Sequence, residues 1–246
     1  MTEPVSHVIV IGGSSGLGKV VSHQYAQRGH HVSVLSRNKP DFVCESDQFR
    51  HFSVDLSGLT AKDAQLLADT VISASGPPRY LVFCQRYRGS EKNLGSEIAV
   101  SISATATIID AFSGNFVPEG DKAVAVVSSV YGDHVGSSQP LDYHVAKAGL
   151  NALVRYYAVS LGGKGIRINA ISPLTYLKEE SKHVYLGDAA KLEQYRRLVP
   201  LRRMGTAEEC ASTISFLCSE QASFVTGQNL YVDGGVSVIW PEELIK

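Results

Sequence analysis

Tyr143 and Lys147 lie four residues apart in a stretch of helical character. Positions i and i+4 share one face of a helix, so the Lys147 ammonium can lie beside the phenol. A neighbouring cation favours the phenolate, and the pKa of Tyr143 is therefore expected to fall from about 10 toward neutral pH. Such a phenol can act as a general acid or base. In a chain with 11 tyrosines this spacing also occurs by chance, so its meaning depends on the surrounding sequence.

A glycine-rich turn near the N-terminus is the second chemically informative segment. It lies between an apolar run of strand length at 7–11 and a helical stretch that stops at Gly29. Strand, glycine turn and helix form the opening unit of a dinucleotide-binding fold, in which backbone N–H groups and the helix dipole face the pyrophosphate. The alternative is a surface turn that uses glycine for positive φ. The residues of the turn expected to contact a dinucleotide are Gly12, Ser14, Ser15, Gly16, Leu17 and Gly18.

The elements that must position these residues alternate between strand and helix. Strands are predicted at 7–11, 31–36, 49–54, 80–84, 122–128, 165–171 and 228–232. Helices are predicted at 17–28, 61–74, 96–113, 142–161 and 207–219, and a mobile helical insertion at about 175–198. This alternation predicts an α/β fold with a doubly wound parallel sheet of Rossmann type and helices on both faces. Ligands then bind beyond the carboxyl ends of the strands.

Composition limits the organisation and the partners. The chain has 246 residues, is 44% hydrophobic and carries a formal net charge of −1. We expect a single domain over 1–246, since no linker or repeat divides the sequence. A nearly neutral chain gives no reason to expect nucleic acid as a partner, and no apolar run of membrane-spanning length is evident.

The cysteines and histidines favour neither disulfides nor a metal site. Cys44, Cys84, Cys210 and Cys218 lack the paired spacing of metal ligands, and two of them are expected in buried elements. The eight histidines form no His-x-x-x-His pair on a helix. We therefore expect no metal and a cytoplasmic location, where thiols stay reduced.

Several motifs in one order resemble the short-chain dehydrogenase/reductase family. Ser128-Ser129-Val130-Tyr131-Gly132 closes an apolar strand and is similar to the family's Ser-Ser-x-x-Gly segment, upstream of the Tyr-x-x-x-Lys pair. Further matches cover 166–173, 200–205, 224–228 and 232–235. The resemblance spans about Val8 to Gly235. It implies a catalytic centre of Ser129, Tyr143 and Lys147, with Tyr143, Lys147 and Pro173 also at the cofactor.

The end of the second strand bears on cofactor choice. NAD enzymes usually carry an acidic residue there, which grips the ribose 2′-hydroxyl, whereas this chain has Ser36-Arg37-Asn38. A guanidinium can pair with a 2′-phosphate, so NADP(H) is expected in preference to NAD(H). The competing interpretation of Arg37 is a solvated loop arginine. The pair Asp55-Leu56 resembles the family's Asp-aliphatic pair at the adenine, although an ordinary loop aspartate would look the same.

The chain also departs from the family pattern. Where the family has Asn-Asn-Ala-Gly, the sequence is Phe83-Cys84-Gln85-Arg86, followed by Tyr87-Arg88. Either this turn takes another path, or Arg86 and Arg88 reach the cofactor phosphates or an anionic substrate; a solvated loop is the competing view. Cys84, Gln85 and Arg86 are placed among the cofactor-binding residues on this resemblance.

Three further positions differ from the family. Ser101 replaces the asparagine that holds a water in the proton relay, which puts that relay in doubt. Leu174 replaces the glycine after Pro173, and Lys178 lies near the usual position of a carboxamide-binding threonine. The residues expected around the nicotinamide ring therefore differ from those of the family.

Taken with the resemblance, the residues predict an NADP(H)-dependent oxidoreductase, similar to carbonyl reductases, that interconverts a carbonyl and an alcohol of a small molecule by hydride transfer. One alternative is an NADP(H)-binding sensor or assembly subunit with little redox turnover. Another is a reductase of a conjugated double bond or an imine. The nearly uncharged helix at 96–113 and the long helix at 142–161 predict a homodimer or homotetramer, because a helix apolar on all faces is normally buried.

Overall fold

The computed structural model describes residues 5–44, 46–89, 93–179, 182–240 and 242. Its strands are His7–Ile11 (β1), His31–Ser36 (β2), Phe49–Ser53 (β3), Tyr80–Phe83 (β4), Lys122–Val127 (β5), Ile166–Pro173 (β6), Tyr176–Leu177 (β7), Gly205–Thr206 (β8) and Asn229–Val232 (β9). Its helices are Gly16–Gln27 (α1), Ala61–Ser75 (α2), Leu94–Ile98 (α3), Ala104–Phe112 (α4), Leu141–Gly162 (α5), Lys182–Leu186 (α6), Ala189–Leu198 (α7) and Ala207–Cys218 (α8).

Seven of the strands form one parallel sheet in the order β3-β2-β1-β4-β5-β6-β9. The remaining two, β7 and β8, pair with each other. The sheet order runs outward from β1 in both directions, so the crossover connections leave a crevice between the carboxyl ends of β1 and β4, where ligands bind in such sheets. The predicted fold class is confirmed.

The alternation of side chains along the strands explains why both faces are covered. Val8 and Val10 of β1 pack toward α1 and α8, whereas Ile9 and Ile11 pack toward α2, α4 and α5. All five residues of β1 are buried. A strand that is apolar on both faces is stable only between two helical layers, and this places β1 at the centre of the sheet.

The predicted elements agree with the structure to within two residues at each end, with one interruption. The predicted helix at 96–113 begins at Leu94, where the Asn93 side chain accepts a hydrogen bond from Ser96 N at 2.8 Å. Its middle, Ala99–Ser103, is a π turn that joins α3 to α4. π turns often occur at functional sites. The segment 175–198 contains β7, α6 and α7, and its residues 180 and 181 lie outside the described part of the chain.

The helix Leu94–Phe112 is, by length and composition alone, apolar enough to cross a membrane. The sequence prediction that no run approaches this length was wrong by that measure. In the fold its residues Ile108, Ile109 and Phe112 are buried in the core against α2 and α5. A helix in the core of a folded protein can have the length and apolar composition of a membrane-spanning helix.

Candidate active site

A cavity of about 830 Å³ opens at the carboxyl ends of β1 to β6. Of the residues that the sequence assigns to catalysis or cofactor binding, all but Gly18 line it. They are Gly12, Ser14, Ser15, Gly16, Leu17, Ser36, Arg37, Asn38, Asp55, Leu56, Cys84, Gln85, Arg86, Ser129, Tyr143, Lys147 and Pro173. The parallel sheet brings them to one edge although they are far apart in sequence.

The glycine turn is shaped by close backbone contacts. Gly12 has φ +75°, and a Cβ at this position would lie 2.6 Å from Gln85 N. Gly16, with φ +53°, begins α1. A Cβ at Gly18 would lie 2.2 Å from Gly12 O. The assignment of Gly18 to cofactor binding implied that it lines the cavity, but it does not. Gly18 instead lets α1 approach Gly12 closely and so supports the turn from behind.

The end of β2 presents a cation to the cavity. Ser36 Oγ donates to Asn38 O at 2.9 Å, and Ser53 Oγ donates to Arg37 O at 3.0 Å, so the backbone of this turn is held on both sides. The Arg37 side chain is exposed. The turn thus combines an ordered backbone with an unburied guanidinium.

The end of β3 carries the only carboxylate among the described residues that line the cavity, Asp55. Its Oδ1 accepts hydrogen bonds from Ser57 N at 3.0 Å and Ser57 Oγ at 2.7 Å. These bonds lower the pKa of Asp55, burial opposes them, and the nearby Arg37 lowers it further. Asp55 is thus an anion that Arg37 partly balances.

Ser129 is placed by the end of β5. Its Oγ accepts from Tyr131 N at 3.3 Å and caps a short 3₁₀ turn, Val130–Gly132. Ser172 Oγ donates to Ser129 O at 3.0 Å, which ties the same residue to β6. The Ser129 hydroxyl also lies near enough to Tyr143 to lower the pKa of the phenol. The serine and the tyrosine can therefore contact one substrate oxygen together.

Tyr143 and Lys147 lie on successive turns of α5, as their spacing predicts. Lys147 Nζ lies 5.6 Å from the centroid of the Tyr143 ring and donates to Val127 O at 2.8 Å. Lys147 is 3% exposed. The carbonyl at the end of β5 thus holds the ammonium in place, at the ring of the tyrosine.

The prediction of a lowered Tyr143 pKa was wrong. Burial raises the pKa of Tyr143, and this effect outweighs the hydrogen bond from Ser129 and the charge of Arg86, which both lower it; Glu97 raises it further. Burial also lowers the pKa of Lys147 to about 8. The sequence spacing showed the cation but not the desolvation of the phenol. A phenol with a raised pKa is protonated at neutral pH and can donate its proton.

Glu97 is a neighbour of the site that the sequence reasoning missed. It is 5% exposed, and its Oε1 accepts from Ser101 Oγ at 2.7 Å. Its charge raises the pKa of both Tyr143 and Lys147. A carboxylate four residues before Ser101 in a nearly uncharged helix was the available signal. The Ser101 hydroxyl donates to Glu97, and Ser101 does not line the cavity. The hydroxyl therefore does not take the place of the relay asparagine.

The turn after β4 brings Arg86 to Tyr143, one of the residues predicted to be catalytic. Gln85 packs its backbone against Gly12, and its Nε2 donates to Thr105 Oγ1 at 2.7 Å. Burial raises the pKa of Cys84 to about 12, so its thiol is neutral. The Arg86 guanidinium carbon lies 5.4 Å from the centroid of the Tyr143 ring. Arg86 and Arg88 both line the cavity. Their contact with a cofactor phosphate or an anionic substrate stays a prediction.

Within the described ranges there is no group of three or more histidine, cysteine, aspartate or glutamate side chains that could hold a metal ion. The hydroxyl-bearing residues Ser129 and Tyr143 and the cations around them line the cavity. Leu174 and Lys178, two of the departures from the family pattern, also line the cavity.

Comparison with known sequences gives matches over nearly the whole chain. A family model described as enoyl-(acyl carrier protein) reductase matches residues 72–237. The dehydrogenase/reductase SDR family member 4 of Sus scrofa is 28% identical over 246 residues, covering 93% of this chain and 86% of the relative. Isoepoxydon dehydrogenase patN of Penicillium expansum is 28% identical over 256 residues, covering 95% of each chain.

Solved structures share the fold. Ligand-free aldohexose dehydrogenase of Thermoplasma acidophilum has a TM-score of 0.81 at 24% identity and covers 96% of each chain. An NADP complex of RhlG of Pseudomonas aeruginosa has a TM-score of 0.80 at 22% identity, covering 95% of this chain and 96% of that one. A dehydrogenase of Leptospira borgpetersenii with bound NAD+ has a TM-score of 0.80 at 21% identity, covering 95% and 93%. The family model covers more than half of the sequence, and the chain therefore belongs to the short-chain dehydrogenase/reductase family of oxidoreductases.

Proposed function

We propose that the protein is an NADP(H)-dependent oxidoreductase that interconverts a carbonyl and an alcohol. One observation carries the proposal: Ser129, Tyr143 and Lys147 share a single cavity with the glycine turn and Arg37. A nicotinamide dinucleotide fits these residues, since the turn at the start of α1 allows close backbone approach and Arg37 offers a cation. The curated relatives named above are a dehydrogenase/reductase and a dehydrogenase, which supports the same class of reaction.

The chain's own residues position the substrate and move the proton. When bound, the cofactor supplies or accepts the hydride. The Tyr143 hydroxyl donates its proton to the carbonyl oxygen, and the Ser129 hydroxyl hydrogen-bonds the same oxygen and polarises it. Lys147 keeps a positive charge behind the ring and would hold the ribose hydroxyls. In the reverse direction Tyr143 accepts the alcohol proton.

The reaction class is tested by supplying NADPH with a panel of ketones, enones and imines and following NADPH consumption. We expect the ketones to be reduced. Enones belong in the panel because the matching family model is described as an enoyl reductase. Reduction confined to the enones or imines would replace the proposed carbonyl chemistry with the second alternative.

Arg37 is proposed to select NADP(H). If its guanidinium pairs with the 2′-phosphate, Arg37→Ala should weaken NADPH binding by about 1.5–3 kcal/mol, the size of a hydrogen bond to a charged group, and leave NADH binding unchanged. Fluorescence titration with both cofactors measures this. Arg28→Ala, at the far end of α1, is the matched control and should change neither constant. Equal losses for NADPH and NADH, or tighter NADH binding in the unaltered protein, would contradict the assignment.

The protein is proposed to form a homodimer or homotetramer. Tyr156 and Val159 on α5 are 68% and 85% exposed, and Phe224 and Leu230 are also exposed apolar side chains near the last strand. Apolar side chains grouped on one helix and one strand end are commonly covered by a partner chain. Light scattering at micromolar concentration should give two or four times the mass of 26.5 kDa. A monomer at that concentration would refute the proposal.

A further inference from the structure

Arg86 contributes a positive charge at the reacting end of the cavity. Its guanidinium carbon lies 5.4 Å from the Tyr143 ring centroid, and the charge lowers the pKa of Tyr143. Contact with the face of an aromatic ring restrains a guanidinium while its N–H groups stay open to other partners. Arg86 is exposed, on the wall of the cavity. Its N–H donors can therefore reach a molecule bound at Tyr143.

The protein does not neutralise this charge within the cavity. No described residue forms an ion pair with Arg86. The one carboxylate among the described lining residues, Asp55, follows β3, three strands away from β4 in the sheet. Glu97 is buried and is not part of the cavity wall. Lys147 adds positive charge beside the Tyr143 ring, and Arg88 and Lys178 also line the cavity. The wall near Tyr143 is thus suited to an anion.

Two anions could meet Arg86: a phosphate of the cofactor or an acidic group of the substrate. The residues suited to the phosphates are the glycine turn after β1 and Arg37 after β2. Arg86 instead packs on the ring of Tyr143, whose hydroxyl meets the substrate oxygen in the proposed reaction. This position favours the substrate over the cofactor as the partner of Arg86.

We infer that Arg86 binds a carboxylate of the substrate, so that the enzyme acts on carbonyl compounds carrying an acid group a few bonds from the reacting carbonyl. The inference rests on the proposed function. A guanidinium holds a carboxylate through two parallel N–H···O bonds, which would fix the orientation of the carbonyl at Ser129 and Tyr143 as well as add affinity. A neutral substrate of the same shape would lack this second anchor.

Paired substrates test the inference. Acetoacetate and levulinate are compared with their methyl esters by NADPH consumption, in the unaltered protein, Arg86→Ala, Arg86→Lys and the remote control Arg28→Ala. We expect kcat/KM to favour at least one acid over its ester by about tenfold or more, the equivalent of one charge-assisted contact. Arg86→Ala should remove this preference by lowering kcat/KM for the acid by about tenfold more than for the ester. Arg86→Lys should keep part of the preference, and Arg28→Ala should keep all of it.

Cofactor and acid binding are measured separately by titration. The NADPH dissociation constant should be the same in Arg86→Ala and the unaltered protein, and acetoacetate or levulinate should bind the NADP+-loaded protein but not loaded Arg86→Ala. Weaker NADPH binding with an unchanged acid-to-ester ratio would assign Arg86 to the cofactor and overturn the inference. Equal use of acids and esters by the unaltered protein would also overturn it while leaving the proposed function standing. If no carbonyl compound consumes NADPH, the proposed function fails, and the acid titration still decides whether Arg86 binds a carboxylate.

Discussion

Tyr143→Phe is expected to lower kcat by at least about 100-fold, because the substitution removes the hydroxyl that moves the proton and general acid catalysis typically contributes that much. NADPH binding should change little. The phenyl ring can keep its contacts with Tyr131, at 6.2 Å between centroids, and with Arg86. Steady-state kinetics on a reduced ketone and a fluorescence titration of NADPH measure the two quantities on the same preparation.

The matched control for this change is Tyr156→Phe. Tyr156 lies on the same helix but is 68% exposed and outside the cavity. The Tyr156→Phe variant should retain the full kcat. If Tyr143→Phe kept more than about a tenth of kcat, another group would have to supply the proton. Intact NADPH binding with no turnover of any substrate by the unaltered protein would favour the alternative of a binding subunit.

The pH dependence of the two reaction directions follows from the same hydroxyl. Reduction requires the protonated phenol, so its rate should fall as the pH rises through the pKa of Tyr143. Burial raises that pKa, and this decline should therefore begin only in the alkaline range. Oxidation requires the phenolate and should increase with pH over the same range. An oxidation rate that is already maximal at neutral pH would contradict a raised pKa of Tyr143.

The sequence was sufficient for features that depend on local pattern and sheet topology. The apolar run at 7–11 predicted a strand, and the parallel sheet brings Arg37, Cys84, Ser129 and Pro173 to one edge, as expected from their places after predicted strands. The carboxyl ends of parallel strands lie at one edge of the sheet for any loop conformation. This grouping can therefore be predicted without knowledge of side-chain packing.

Features that depend on three-dimensional packing were not predictable in this way. The spacing of Tyr143 and Lys147 showed a cation near the phenol, but the sign of the pKa shift depends on how far other elements bury the ring. Glu97 lies 46 positions before Tyr143 in sequence, and only the packing of α3 on α5 brings its charge to the site. Ser101 matched a family position, yet its hydroxyl is engaged by Glu97 rather than directed to the cavity.

Gly18→Ala is expected to weaken NADPH binding by roughly a hundredfold, the equivalent of about 3 kcal/mol at the upper end of overpacking costs. A Cβ at this position would lie 2.2 Å from Gly12 O and 2.9 Å from Gly12 C, both backbone atoms. No rotamer change relieves such a contact, so the turn must open or α1 must move away from it. Either displacement moves the backbone N–H groups that face the phosphates.

Helix propensity alone predicts that Gly18→Ala stabilises α1, since alanine is favoured over glycine in a helix by about 1 kcal/mol. Gly162→Ala is the control for this term: Gly162 ends α5, and nothing lies within 4 Å of its added Cβ. It should leave NADPH binding unchanged and should not lower the melting temperature. Circular dichroism shows whether Gly18→Ala is folded, and fluorescence titration gives its dissociation constant. A folded Gly18→Ala that binds NADPH as well as the control would mean that α1 can shift without disturbing the turn, and that the close approach at Gly12 is not needed to hold the cofactor.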